Sequence, residues 1–103
     1  MGDDLRDVVE VDRILHEPAR LLLVALLYPV EDADFLFLLR ESGLTRGNLS
    51  SHVAKLEEAG YVTVTKGYQG KVPHTDYRLT DEGRAAFRAY REQLKRTLKK
   101  LPR

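Results

Sequence analysis

The stretch from Gly43 to Gly60 constrains the fold of this chain more than any other feature of its 103 residues. Each of these glycines follows an amphipathic run, and a glycine in that place is typical of the left-handed residue that ends a helix. Only Leu44 and Thr45 lie between Gly43 and the second run, and Thr45 is a suitable N-cap. The sequence therefore predicts two helices, over about residues 34–42 and 45–60, joined by a tight turn.

The first helix of this pair has an apolar face made by Phe35, Leu38 and Leu39 at spacings of three and four. Either Asp32 or Asp34 can supply its N-cap. The second helix has its own apolar face, and we expect that face to anchor it to the core; its members are Leu49, Val53 and Leu56. Both helices are thus predicted to lie against one core.

A helix over about residues 18–28 precedes the pair. Pro18 suits its first position, where the missing N–H costs nothing, and Pro29 ends it. Its apolar residues fall on all sides, which predicts a helix that is buried all round; they are Leu21, Leu22, Leu23, Val24, Leu26 and Leu27. Residues 11–16 are expected to form a short helix before it.

After Gly60 the hydrophobic period changes from that of a helix to two. Residues 61–66 and 74–79 alternate and are rich in β-branched and aromatic side chains, which predicts two strands. Residues 67–73 contain Gly and Pro and are expected to form the loop between them. Thr80 caps a last helix that continues to about Lys100. A helix-turn-helix followed by a hairpin and a long helix is an α+β fold that is mainly α.

The exposed side of the second paired helix has the chemistry of a surface that reads DNA. Asn and Ser can hydrogen-bond base edges, Arg and Lys can contact guanine or phosphate, and a small residue lets a backbone come close. The candidate residues are Thr45, Arg46, Gly47, Asn48, Ser51, His52 and Lys55. An ordinary solvated helix face is the alternative for this set. For His52 two roles remain open, a phosphate contact and a cap on the edge of the core.

Cations also lie in and beside the predicted hairpin loop. A cation at a hairpin tip suits a phosphate or minor-groove contact, although a solvated loop is the alternative. The candidates are Lys66, Lys71, His74 and Thr75. Tyr68 either stacks on a sugar or is half-buried, and the sequence does not decide between these roles.

The segment GLTRGNLSSHVAKLEEAGYV, residues 43–62, resembles the recognition-helix region of winged-helix regulators of the MarR and ArsR type. It is most similar to the small winged helix DNA-binding domain group, in which the pattern LSxxNLSxHLxKLExAGYV is typical. Residues 73–83, PHTDYRLTDEG, resemble that group's second wing strand and the start of its last helix. The resemblance covers about residues 12–100. It implies a homodimeric transcription factor whose two recognition helices enter successive major grooves of double-stranded DNA. The absence of a signal-peptide pattern, of a long apolar run and of Cys predicts a cytoplasmic protein.

This resemblance divides the chain into three parts. An acidic N-terminal arm occupies residues 1–10, a winged helix-turn-helix domain residues 11–83, and a C-terminal dimerisation helix residues 84–103. The chain also departs from its relatives in two respects. It has no Cys, so the thiolate metal sensor of many ArsR-type proteins is absent, and its shorter N-terminal helix puts the effector pocket of MarR proteins in doubt.

The last helix carries an apolar stripe that predicts the dimer interface. Its members recur at spacings of three and four, as in a coiled coil; they are Phe87, Tyr90, Leu94, Leu98 and Leu101. Part of the stripe can pack on the domain's own core, which is expected to extend along this helix only to about Tyr90. The net charge is +1, but residues 1–17 are mostly acidic and residues 84–103 mostly basic. Either the acidic arm packs on the partner's basic helix, or both are solvated.

Other function classes fit the residues less well. The three His lie on different elements, and no nucleophile–base set or phosphate loop accompanies them, so an enzyme is not expected. A metal site made by His16, Glu17 and Asp12 has no supporting pattern, and no cofactor is predicted. The main alternative is a winged helix that binds a protein and not DNA. A small-molecule effector would be an addition to DNA binding, and repression is the default mode.

Overall fold

The computed structural model describes residues 12–102, which form four helices and three strands. They are α1 Pro18–Leu27, β1 Ala33–Asp34, α2 Phe35–Ser42, α3 Arg46–Glu58, β2 Val62–Gln69, β3 Val72–Leu79 and α4 Asp81–Lys100. The predicted α+β fold with helix-turn-helix, wing and long last helix is confirmed. The acidic arm, residues 1–10, lies outside the described residues, so the predicted contact between this arm and the basic helix stays a prediction.

Local capping chemistry sets the helix boundaries where the sequence predicts them. Asp34 caps α2 by accepting a hydrogen bond from the Phe37 N–H at 2.8 Å. Thr45 caps α3 in the same way, through the Asn48 N–H at 3.1 Å. The left-handed residue between α2 and α3 is Gly43, with φ of 71°. Because a residue with a Cβ is strained there, Gly43 ends α2 and permits the tight turn into α3.

The sheet has one strand more than the two predicted. Its order is β1-β3-β2, and β1 pairs antiparallel with β3 through Ala33–Tyr77 and Asp34–Asp76. Two residues are too few to show an alternating pattern, so the sequence gives no signal for β1. The strand brings the start of α2 beside β3. It therefore helps to fix the hairpin of β2 and β3, which contains the wing, against the helix pair.

The predicted seven-residue loop at 67–73 is wrong. Both strands continue through it and are joined by Gly70 and Lys71 alone, between Gln69 and Val72. Gly70 has φ of 65°, whereas Lys71 has a negative φ, as in a type II′ hairpin turn. Pro73 is tolerated within β3 because β1 reaches only residues 76–77, so one side of the strand is free at Pro73.

The core lies between the inner faces of the helices and the sheet. Its fully buried side chains come mainly from α1, α2 and α3, and they include two of the three predicted anchors of α3. These residues are Leu15, Leu23, Val24, Leu27, Leu38, Leu49 and Leu56. The prediction that α1 is buried all round is wrong for the single chain, since Leu22 is 39% exposed. One apolar side of α1 therefore faces outward.

Residues 12–16 form a single turn and not the predicted short helix. Asp12 organises this turn, since its Oδ1 accepts hydrogen bonds from the Ile14 and Leu15 N–H groups. Its other oxygen accepts a hydrogen bond from the Tyr61 hydroxyl, just before β2. At the end of the turn, His16 Nδ1 lies 2.9 Å from the Tyr90 hydroxyl of α4. Side-chain contacts thus hold the turn against distant parts of the fold.

We expect the Tyr61–Asp12 contact to make stability fall at high pH. Burial and the Asp12 carboxylate raise the pKa of Tyr61 to about 12. A raised pKa in the folded state means that the neutral phenol is favoured by folding, so this contribution is complete below pH ~10 and is lost towards pH ~12. Urea unfolding at pH 8 and pH 11 should show a smaller decline for Tyr61→Phe than for the wild type. An equal decline in both proteins would contradict the assignment.

Candidate nucleic-acid interface

Helix α3 presents one buried face and one exposed face. Leu49, Val53 and Leu56 are buried in the core. The opposite side carries the predicted contact residues, and all but His52 are exposed; these are Thr45, Arg46, Gly47, Asn48, Ser51 and Lys55. No side chain lies within 4 Å of the place where a Gly47 Cβ would be. This side of α3 is therefore open and allows close approach to its backbone.

The hairpin borders the same helix along one flank. A groove between them is lined on the α3 side by Ser50, Ala54 and Glu57, and on the hairpin side by Lys66 and Thr75. Lys66 pairs directly with Thr75 in the β2–β3 register, and directly opposed residues point to the same face of a sheet. The structure thus brings these two predicted wing residues together beside α3.

Arg46 lies at the junction of α2, α3 and the hairpin. Its guanidinium carbon is 5.5 Å from the centre of the Phe35 ring, a distance typical of a cation–π contact. A second groove there is shared by Arg46, Leu36 and the β3 residues Pro73 and Thr75. The exposed cation is therefore held in place by α2 before any ligand binds.

The hairpin tip projects polar and aromatic side chains into solvent. Lys71 lies in the two-residue turn and is exposed. Tyr68 is 75% exposed, which rules out the half-buried role for this side chain in the single chain. Tyr68 faces the same side as Lys66, because residues two apart on a strand share a face. An aromatic ring and two cations thus lie along the part of the hairpin that extends beyond the core.

His74 does not line the groove between α3 and Lys66, but it does line the second groove together with Arg46 and Thr75. It alternates with Thr75 along β3 and so lies on the other face of the hairpin, where its Nε2 is 3.0 Å from Asp76 Oδ1. Arg78 lies further along that face, within 4 Å of Glu31 and Asp32. This outer face is a mixture of acids and bases, in contrast to the groove side.

His52 is also set apart from the exposed residues of α3. It is half-buried on the flank of α3 that faces α1, opposite the flank that borders the hairpin. Its Nδ1 lies 3.3 Å from the Arg20 guanidinium and 3.9 Å from a carboxylate oxygen of Glu17. The Arg20 N–H donates to that carboxylate, and this hydrogen bond is the main cause that lowers the pKa of Glu17. The sequence carries no signal for these long-range partners.

Acidic residues limit the charge of α3 at its far end. Glu57 lines the hairpin groove and Glu58 is exposed in the last turn. From residue 45 to residue 56, by contrast, α3 and its cap contain no acid. The attraction for a polyanion is therefore concentrated in the first three turns of the helix.

The predicted stripe on α4 divides into an inner and an outer part. Tyr90 is buried in its own chain, and Phe87 packs on Tyr28 with ring centres 5.0 Å apart. Beyond them Leu94, Leu98 and Leu101 are 38%, 60% and 42% exposed. Thr97, beyond Tyr90, is also buried, so burial on α4 does not end near Tyr90 as the sequence predicts, but the three leucines remain exposed.

Comparison with known proteins identifies the class. Residues 19–98 match the family model of the winged helix DNA-binding domain. The chain therefore belongs to this family, which is one of DNA-binding regulatory domains and not of enzymes. Within residues 12–102 no helix is both long and apolar enough to cross a membrane.

Individual relatives agree with this assignment. An uncharacterized protein of Methanocaldococcus jannaschii is 39% identical over 79 residues, which are 76% of this chain and 85% of that protein. A transcriptional regulator homologue from Pyrococcus horikoshii has a TM-score of 0.85 at 30% identity, with 96% of each chain covered. The fold also matches NadR in complex with 4-hydroxyphenylacetate, with a TM-score of 0.68 at 22% identity, covering 84% of this chain and 63% of NadR. The chain thus has the architecture of a winged-helix transcriptional regulator.

Proposed function

We propose that the protein is a cytoplasmic, sequence-specific regulator that binds double-stranded DNA as a homodimer. The third helix enters the major groove and the wing, residues 66–75, contacts the backbone or the minor groove. One observation carries the proposal: the open, acid-free part of α3 adjoins the hairpin face that holds Lys66 and Thr75. A helix of this kind fits the width of the major groove, and a neighbouring cationic hairpin is then close to phosphates.

The contacts divide by chemistry into those that read bases and those that bind the backbone. Asn48 and Ser51 have the donors and acceptors for base edges, while Lys55 and Arg46 suit guanine or phosphate. Thr45 and Gly47, at the start of α3, allow backbone N–H groups to approach a phosphate. Lys66, Lys71 and Thr75 form the wing contacts. The partners of His74 and His52 in the folded chain argue against a direct role for either.

A second copy of the chain fits the apolar surface that a single chain leaves exposed. Leu94, Leu98 and Leu101 extend past the domain on α4, and Leu22 of α1 is exposed as well. Isolated apolar side chains along a protruding helix favour a second copy of the same helix. Two-fold symmetry would place two α3 helices on half-sites about 34–36 Å apart.

The mode of regulation is proposed as repression, the frequent mode among the MarR-like regulators that the sequence resembles. NadR, which shares the fold, is known in complex with 4-hydroxyphenylacetate. A small-molecule effector is accordingly proposed as a second ligand here. Four grooves within residues 12–102 are partly open to solvent, and the partner chain of the proposed dimer is the element that would close an effector site.

The direct test is binding to random-sequence duplex DNA by fluorescence anisotropy over a salt series. The wild type should bind with a steep salt dependence. The triple variant Arg46→Ala, Lys55→Ala, Lys71→Ala should bind more weakly, and its slope should be shallower by about 0.9 for each phosphate that the variant no longer neutralises.

The control removes three cations that lie away from α3 and the wing tip. Arg40, Arg78 and Lys95 each lie within 4 Å of an acid. The variant Arg40→Ala, Arg78→Ala, Lys95→Ala loses three positive charges and therefore has the same net charge as the test variant. It should keep the wild-type slope. If the folded wild type binds no DNA at low salt, the alternative of a winged helix that binds a protein partner is favoured.

A further inference from the structure

We propose that His52 is a positioning residue, which fixes the roll of α3 against the start of α1 through its Nδ1 and makes no contact with DNA. The inference rests on the proposed function, since what His52 positions is the helix that reads DNA. It also decides between the two roles that the sequence left open for this residue.

Arg20 is the partner through which α3 is held, and it is itself fixed by the backbone. Its Nε donates to the Ile14 carbonyl at 2.7 Å, and a terminal nitrogen lies 3.5 Å from the Arg13 carbonyl. The other terminal nitrogen reaches His52 Nδ1 at 3.3 Å. The guanidinium therefore joins the turn before α1 to α3 as a rigid fork.

The chemistry of this contact specifies the state of the imidazole. A guanidinium has donors only, so Nδ1 has to accept and cannot hold a proton. The proton of the neutral ring is then on Nε2. Glu17, which caps α1, lies 3.9 Å from the same nitrogen. Arg20 donates to the nitrogen nearer the backbone, and this contact holds the ring on the α1 side of α3.

The position of His52 on α3 gives the contact its consequence. Asn48 lies four residues before it and Lys55 three residues after it, and residues at these spacings are neighbours on a helix surface. Holding His52 therefore fixes the rotation of α3 about its axis, and with it the directions in which Asn48 and Lys55 project. Reading of base edges needs side chains placed to within about half an ångström, so a small roll of α3 should weaken binding.

The test compares two amide side chains that mimic different nitrogens of the ring. In Asn the amide oxygen is bonded to Cγ, as Nδ1 is, whereas the Gln amide lies one bond further out and replaces Nε2. Under the proposal His52→Asn should bind duplex DNA within about twofold of the wild type, because it keeps the acceptor for Arg20. His52→Gln and His52→Leu should each bind about tenfold more weakly, since one hydrogen bond is removed.

Two further readouts separate positioning from direct contact. The salt slope should be unchanged in all three His52 variants, because no phosphate contact is removed. In a double-mutant cycle, His52→Leu should cause little further loss of affinity in an Arg20→Leu background. Circular dichroism and urea unfolding of each variant would show that the protein is folded before binding is compared.

The opposite pattern would overturn the inference. If His52→Gln binds like the wild type while His52→Asn binds weakly with a shallower salt slope, Nε2 contacts DNA. If all three variants bind like the wild type, His52 positions nothing. If the wild type binds no DNA, the proposed function fails, and the Arg20–His52 coupling in urea unfolding still tells whether the two side chains hold α3 on α1.

Discussion

Replacing Gly83 by alanine is expected to destabilise the protein by about 2–4 kcal/mol, although Ala is the better helix former. Gly83 lies in the first turn of α4 and is buried. A Cβ there would be 2.3 Å from the Tyr61 carbonyl oxygen and 2.8 Å from Leu79 Cδ1. Since that carbonyl accepts the Thr80 N–H at 2.9 Å, the backbone cannot move away without breaking a hydrogen bond beside the α4 cap.

The matched control is Gly47→Ala, also in the first turn of a helix. Nothing lies within 4 Å of its Cβ position, so this change should stabilise the fold by up to about 1 kcal/mol. Urea unfolding of the wild type and both variants gives the comparison. Equal stability of Gly83→Ala and the wild type would mean that α4 does not approach the chain before β2 as closely as described.

The close approach at Gly83 illustrates which parts of the fold the sequence could not predict. The sequence identifies Gly83 only as part of a family-like helix start, since its role depends on Tyr61, far away along the chain. The helix limits at Gly43, Thr45 and Thr80 were predicted correctly, because a cap acts on residues two or three positions away. Local chemistry is visible in a sequence, whereas packing between distant segments is not.

The errors in the hairpin and before α1 have physical causes of the same kind. Turn residues were expected to fill a loop at 67–73, but Gly70 and Lys71 alone make the turn and Pro73 lies in a strand with one free side. The sequence pattern of residues 12–16 predicts a helix, whereas the structure has a single turn that is held by Asp12 and by its contact with Tyr61. The turn has one helical hydrogen bond, from the His16 N–H to the Asp12 carbonyl, while the Asp12 side chain accepts from the Ile14 and Leu15 N–H groups.

The candidate site was predicted in its chemistry but not in its full geometry. Helical periodicity predicts the exposed residues of α3, whereas the pairing of Lys66 with Thr75 is seen only in the structure. The contact between His52 and Arg20 is likewise not predicted, because Arg20 lies on another helix. A histidine on a helix or strand flank gives no sequence signal of which neighbour will hold it.

The second large effect is expected from Leu98→Asp, which should convert the proposed dimer to monomers. Leu98 is 60% exposed in the single chain, so the change should leave the fold of each chain intact. In a two-fold dimer each substitution occurs twice. Removing two buried leucines is worth about 3–6 kcal/mol, which raises the dimer dissociation constant by about 100-fold or more.

The control is Leu36→Asp on α2, whose exposure is also 60%. Leu36 is distant along the fold from the outer part of α4, so this variant should remain dimeric. Sedimentation equilibrium over a range of protein concentrations measures the three dissociation constants. A wild type that stays monomeric at high concentration, or a Leu98→Asp protein as dimeric as the wild type, would remove the dimer proposal.

Disruption of the dimer should also weaken DNA binding far more than removal of any single side chain. Two linked α3 helices bind successive half-sites with an effective concentration that raises affinity by about 10²–10⁴-fold. Leu98→Asp removes this linkage while every proposed contact residue on α3 and the wing stays in place. Anisotropy with duplexes of one and of two helical turns distinguishes the cases, because the variant should lose affinity on the longer duplex and little on the shorter one. An equal decrease in affinity for both duplexes would mean that Leu98 stabilises the domain itself and not a dimer.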